Sequence, residues 1–244
     1  YTIVSNDINT NKTISVTATV FEALSGGLSD AEVVTVTAII TDAADNSTTG
    51  TASSNTITVD QTLPTMTISS TTSGVSDGST SNDSTISLTF TSSENTSNFV
   101  VGDITVGNGS MSNFSATNNK VYTATFTPSS DGDCTINVTA NKFTDTAGNG
   151  NSAATEFNWK YDSTAPSSFP VSTVVATGGT VVSDYWNSTN TGINITVPVA
   201  NDTTLTGGTI QLRAKIDSEA YADLDSAYTI VSNDINTNKT ISVT

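Results

Sequence analysis

The chain of 244 residues carries 7 Lys and Arg against 23 Asp and Glu, a formal net charge of −16, with one cysteine and no histidine. That balance repels phosphate backbones and anionic lipid headgroups, which need a basic footprint, and the lack of histidine removes the Ser-His-Asp triad, the Cys-His dyad and the HExxH zinc site together. Nucleic-acid binding, membrane insertion and the commonest hydrolytic machinery are excluded on these grounds, and no run approaches the 18 or so apolar residues of a membrane span.

Thr makes up about a fifth of the chain and favours strands through its branched β-carbon. In chain order the alternating runs TISVTATVF (13–21) and VVTVTAII (33–40) read as the first strands. The next stretch predicts strands near 65–70, 84–91, 99–106, 113–117, 120–127, 134–141 and 153–161. Their inward face would hold Ile68, Ile86, Leu88, Phe90, Phe99, Ile104, Val106, Phe114, Tyr122, Phe126, Ile136, Val138, Phe157 and Trp159. Cys134 falls in phase with Ile136 and Val138, so a buried structural role is expected of it. INITVPV (193–199) is a further strand, and EAYADLDSA (219–227) reads as a helical turn. Seven or so strands per module imply an all-β protein of tandem β-sandwiches.

Residues 228–244, YTIVSNDINTNKTISVT, repeat residues 1–17 without a change. The offset of 228 − 1 = 227 residues makes the sequence read as one period of a longer array plus an overlap, with both ends cutting through a domain. Two junctions share one form, a strand ending in an acid followed by a proline that opens the next strand: TITVDQTLPT (56–65) and NWKYDSTAPS (158–167). The expected organisation is therefore the C-terminal part of a module at 1–62, a complete module at 63–163 and the N-terminal part of a module at 164–244.

Little in the chain reads as catalysis, and no enzyme is expected. Gly74-Val75-Ser76-Asp77-Gly78 matches the nucleophile-elbow pattern but lies in a Ser/Thr/Gly-rich loop without a base. The acids are mostly Asp, whose short carboxylates in loops are common Ca²⁺ ligands. In a sandwich the loops after alternate strands gather at opposite ends, which puts Glu94 and Asp145 at the end beside the linker acid Asp60. These three are the candidate Ca²⁺ site, with Asn149 or Asn95 and backbone carbonyls completing it. TDAADN, with Asp42 and Asp45, occupies the position in the other module that TDTAGN, with Asp145, occupies here, and Asp162 would face the next copy of Asp42 and Asp45. The same Asp and Asn residues also suit plain turn formation, because Asx side chains bond their own backbone.

The run SSENTSNFVVGDITVGNGSMSNF (92–114), then VYTATFTPSSDGDCTINVTA (121–140) and DTAGNGNSA (145–153), resembles the bacterial immunoglobulin-like repeats of giant surface adhesins and biofilm-associated proteins. The resemblance implies tandem immunoglobulin-like modules in a linear array, exported to the bacterial cell surface, often stiffened by Ca²⁺ at junctions and carrying an adhesive tip. It marks Asp60, Asp145 and Asp162 as ligand positions. The expected partners are neighbouring repeats and, through regions outside this sequence, a cell-surface or glycan target. The alternative is a multi-chain filament, hook or sheath, a lateral homo-oligomer using Tyr185, Trp186 and Tyr221.

Overall fold

The computed structural model describes residues 1–244, the side chain of Ser25 excepted. The chain is all-β, its one described α-helix being α1 (Ala18–Glu22), and it forms two compact units, Tyr1–Tyr161 and Asp162–Thr244. No helix is long and apolar enough to cross a membrane.

In the first unit β1 (Val33–Val34), β2 (Ile39–Thr41), β3 (Ser47–Thr49) and β4 (Ile57–Thr58) make one long hairpin, in which β1 pairs with β4 and β2 with β3, both antiparallel. Between these pairs the ladder continues as Ser53 N–H donates to Val36 O (2.7 Å) and Gly50 N–H to Ala38 O (2.8 Å). Of the hairpin's apolar side chains, Val33, Val36, Ile39, Ile40 and Ile57 are exposed, and Val34 is half-buried.

The rest of the first unit is a β-sandwich built from β5 (Met66–Ser70), β6 (Ser79–Ser81), β7 (Ile86–Ser92), β8 (Ile104–Gly107), β9 (Gly109–Ala116), β10 (Val121–Pro128), β11 (Gly132–Val138) and β12 (Phe157–Tyr161). Two four-stranded sheets, ordered β5-β7-β10-β9 and β6-β12-β11-β8, face one another, and β6 alone runs parallel to its neighbour, β12. Alternation delivers the core, since every second residue of β7, β10, β11 and β12 turns inward. Ile86, Leu88, Phe90, Phe99, Ile104, Tyr122, Phe126, Ile136, Val138, Phe157 and Trp159 are buried as expected, as is Cys134, and Ile68, Val106 and Phe114 pack half-buried against them. Each fully buried large side chain contributes about 1.5–3 kcal/mol. Phe143 was not foreseen: it lies outside any strand, yet it is fully buried with its ring 5.3 Å from that of Phe99.

The second unit contains β13 (Thr173–Thr177), β14 (Gly192–Pro198), β15 (Thr209–Ala214), β16 (Ala222–Thr229) and β17 (Asn238–Val243), in sheets ordered β13-β14-β17 and β15-β16. Its core is small: Ile195, Val197 and Leu212, with half-buried Ile193, Ile210, Leu224, Ile241 and Val243 around them.

The structure corrects several sequence expectations. From Ala222 on, the 219–227 stretch is strand β16 rather than a helical turn, because Leu224 finds a cross-strand partner in Leu212. The strand expected at 99–106 starts at Ile104 behind a 3-10 turn at Val101–Asp103, whose Asp103 carboxylate accepts from Val100 N–H (2.9 Å). The strand expected at 113–117 spans 109–116, and β6 was missed because three residues carry no readable period. The strand expected at 13–21 is replaced by irregular chain and α1.

This last difference has a controlled comparison inside the molecule. In both copies of the repeat the same local bonds form: Tyr1 donates to Asp7 (2.5 Å) and Tyr228 to Asp234 (2.8 Å). Val4 and Val231 N–H donate to those same carboxylates (3.0 and 2.9 Å), and Lys12 and Lys239 pair with them (3.2 and 3.1 Å). Only the second copy goes on to form a strand, β17, because β14 lies beside it with Ile195 opposite Ile241. Identical residues become a strand only where a neighbour takes up their backbone hydrogen bonds.

Candidate metal centre

The loop between β11 and β12 is shaped by its own polar side chains. Asn151, fully buried, accepts from Lys142 N–H (2.7 Å) and Phe143 N–H (3.0 Å) and donates to the carbonyls of Thr139 (2.9 Å) and Ser152 (2.7 Å). Every hydrogen-bonding position of that amide is used, which fixes Thr144-Asp145 at the sandwich end. Asp145 then accepts from Gly148 N–H (2.7 Å) and Asn149 N–H (2.9 Å) on one oxygen and from the Asn149 side chain (2.9 Å) on the other. Gly148 sits at φ +100°, a conformation open to glycine at no steric cost.

Asp60 reaches this loop along the linker that leaves β4. Asp30 clamps that linker by accepting from Gln61 N–H (2.6 Å) and from the Thr62 hydroxyl. Pro64 is fully buried and its carbonyl accepts from Ser152 N–H (3.0 Å), which ties the linker to the far side of the same loop. Glu94 arrives from the end of β7, where Ser93 N–H donates to Thr65 O (3.0 Å). One carboxylate oxygen from each of Asp60, Glu94 and Asp145 lies within 4.8 Å of the others. The Asn149 side-chain N–H₂ points into this group, 3.1 Å from the Asp60 carbonyl and 3.4 Å from its carboxylate.

Three carboxylates this close repel one another. Burial, and then the charges of Asp60 and Asp145, push the Glu94 carboxyl above the usual carboxylate range, with Lys120 opposing. At Asp145 burial also pushes upward, but the bonds from Asn149 and Gly148 outweigh it and hold the group low. A small hard cation relieves this repulsion directly. The donor set is all oxygen, with three carboxylates, the Asp60 carbonyl and the Asn149 amide after rotation, which suits Ca²⁺ and not zinc. Among the described residues this is the one group of three acids able to share an ion.

The remaining candidates do not gather with a third acid. Asp42 caps the tip of the β2–β3 hairpin, accepting from Ala44 N–H (2.9 Å), Asn46 N–H (2.9 Å) and the Asn46 side chain (3.0 Å). Asp45 holds the left-handed position (φ +66°) that Gly148 holds in the matching loop. Asp162 accepts from Thr164 N–H (3.1 Å). Asn95 meets the loop through its carbonyl, which accepts from the Thr146 hydroxyl (3.5 Å). Asp30 escaped the sequence reading, because a clamp between residues about thirty apart leaves no local pattern. Ser76, in the elbow-like GVSDG, forms a tight turn with Ser79 beside buried Val75 and has no strand-to-helix context.

Residues 60–161 match the family described as bacterial Ig-like domain. No curated protein and no solved structure gives a significant match. The match begins at Asp60 and ends at Tyr161, the last residue of β12, so it takes in the linker acid together with the sandwich. The family matched over those residues is of a non-catalytic kind.

Proposed function

We propose that this chain is a repeat unit of a long extracellular bacterial surface adhesin, a stalk stiffened by Ca²⁺ that extends an adhesive tip for cell attachment. The observation that carries this reading is the meeting of Asp60 with Glu94 and Asp145, which puts an acid of the incoming linker on the same spot as two acids of the sandwich. An ion held there fixes the linker to the domain that follows it, so a chain of such domains resists bending without needing extra contacts. Repetition of a 227-residue period fits the role, because length then changes by whole units.

The test is thermal unfolding and small-angle X-ray scattering of a two-period chain in excess Ca²⁺ and in chelator. Calcium raises the melting temperature and straightens the particle, and both effects vanish in Asp145→Asn and weaken in Glu94→Gln. If neither quantity moves with calcium, the acids are turn formers and the stiffened-stalk reading fails.

The filament reading is favoured by one feature, the exposure of Tyr185 (71%) and Trp186 (60%) on the second unit. Large exposed aromatics suit a lateral contact. A wild-type chain that bundles side by side while Trp186→Ser does not would establish that reading over the single stalk.

A further inference from the structure

The chain contains two Asn-Gly pairs, Asn108-Gly109 and Asn149-Gly150, both in the complete sandwich. A glycine after asparagine leaves the next main-chain nitrogen unshielded by any side chain, so the asparagine amide can close on it and lose ammonia. The fold treats the two pairs differently.

Asn108 is held at both ends of its amide. Its Nδ2 donates to Ser130 O (2.8 Å), and its Oδ1 accepts from the Ser130 hydroxyl (2.9 Å). The backbone of Gly109 lies so close to the Phe126 ring that a Cβ there would overlap it. Ring closure at this pair breaks both side-chain bonds and shifts the start of β9 on the core.

The Asn149 amide is held at its nitrogen alone. Nδ2 donates to the Asp145 carboxylate (2.9 Å) and to the Asp60 carbonyl (3.1 Å), while among the described residues no group donates to Oδ1. The nitrogen that follows is also uncommitted. Thr144 and Gly150 face one another in a bridge whose bonds fall on their neighbours, Asp145 N–H to Asn149 O (3.1 Å) and Asn151 N–H to Phe143 O (3.0 Å). Packing requires the glycine, since a Cβ at Gly150 would strike the Asn141 side chain. Gly150 also borders an open polar cleft of about 280 Å³, shared with Asn98, Asn141 and Lys142, which gives water access to the pair. The β2–β3 tip supplies a contrast: Asn46 makes the same bonds to its aspartate, Asp42, but is followed by Ser47.

We propose that Asn149 is a self-modification site, where the chain converts its own amide to a carboxylate with water as the only reagent. The Gly150 nitrogen bonds to Asn149 Cγ, the bond from Cγ to Nδ2 breaks, and the proton lost by Gly150 passes through water to Nδ2, which leaves as ammonia. Water then opens the succinimide at either carbonyl, restoring the Gly150 N–H and leaving aspartate or isoaspartate at 149. The net change is an amide and water to a carboxylic acid and ammonia, with nothing oxidised or reduced. The aspartate product keeps the main-chain bonds of the loop and sets a fourth carboxylate beside Asp60, Glu94 and Asp145. It also loses the donor that joined Asp145 to Asp60, so a loop tied by an amide becomes one that gains more from a cation. That consequence rests on the calcium reading above, whereas the covalent step stands without it.

Incubation of the full chain in chelator at mildly alkaline pH, followed by peptide mapping with tandem mass spectrometry, reads each asparagine separately. In the folded chain Asn149 exchanges its amide nitrogen for oxygen several-fold faster than Asn108 and Asn46, and the product divides between aspartate and isoaspartate. In denaturant the rates at Asn108 and Asn149 converge. The proposal is overturned if Asn149 survives in the folded chain as long as Asn108 does, or if its lead persists in denaturant. Calcium titration of Asn149→Asp beside the parent reads the consequence: the variant binds several-fold more tightly and unfolds more readily in chelator. Equal calcium affinity in the two chains overturns the link to the ion. Conversion at Asn149 in a chain that binds no calcium in either form upholds the covalent step and defeats the stiffened-stalk reading instead.

Discussion

Asp145 carries two separable duties, shaping its loop and lending charge to the acidic cluster. Asp145→Ala removes a charged acceptor from two backbone N–H groups in a buried setting, and at about 1.5–3 kcal/mol per charged hydrogen bond the sandwich loses about 3 kcal/mol in denaturant unfolding. Asp42→Ala costs less, because its turn is open to solvent on all sides. The pH profile separates Asp145 from Glu94. The folded pKa of Asp145 is depressed, so its stabilisation is complete above the ordinary carboxylate range of about 4 and is lost as pH falls through the lower folded value. For Glu94 the folded value is raised, so its ionisation opposes folding, and stability recovers as pH falls from neutral into its window. Chemical denaturation across pH in chelator therefore passes through a maximum on the acid side of neutrality. Calcium or Glu94→Gln removes the acid-side rise, and a flat profile in chelator refutes the assignment.

Among the elements, the hairpin of β1 to β4 and the sandwich strands share composition but not surroundings. β7, β10 and β11 each have two neighbours and a buried face, whereas the hairpin strands pair only with one another and most of their apolar side chains are exposed. An isolated two-stranded ribbon is marginal in water. In the dilute chain, amides of residues 33–58 exchange orders of magnitude faster than those of 86–92 and 132–138; equal protection would mean a covering surface is already present. The same contrast explains what could be read in advance. The inward residues of β7, β10, β11 and β12 were legible because period-two alternation is a local signal. Phe143 was not, since it is buried by a loop that Asn151 holds in place, and that loop's geometry has no periodicity.

For the whole molecule, one acidic cluster in one unit has a thermodynamic consequence. The sandwich buries sixteen apolar side chains in a continuous core, against three in the second unit, so the second unit melts first. Calcium shifts the upper transition, which contains Asp60, Glu94 and Asp145, and leaves the lower one where it was. A calcium shift of the lower transition would place the ion elsewhere. At a net charge of −16 the chain also repels itself, so added monovalent salt favours any association between copies.

By itself the sequence determined the all-β class, the alternating core of the sandwich and the 227-residue repeat, because each is written in local periods or in identity between segments. It also placed Asp60, Glu94 and Asp145 at one end of the module, from the parity of loops in a sandwich. Tertiary structure alone decided that these three oxygens come within 4.8 Å of one another, that Asp30 clamps the linker beside them, and that 228–244 contains a strand where the identical 1–17 does not. The physical reason is common to all three: a backbone or carboxylate is committed by the neighbour that satisfies it, and the neighbour lies far away in sequence.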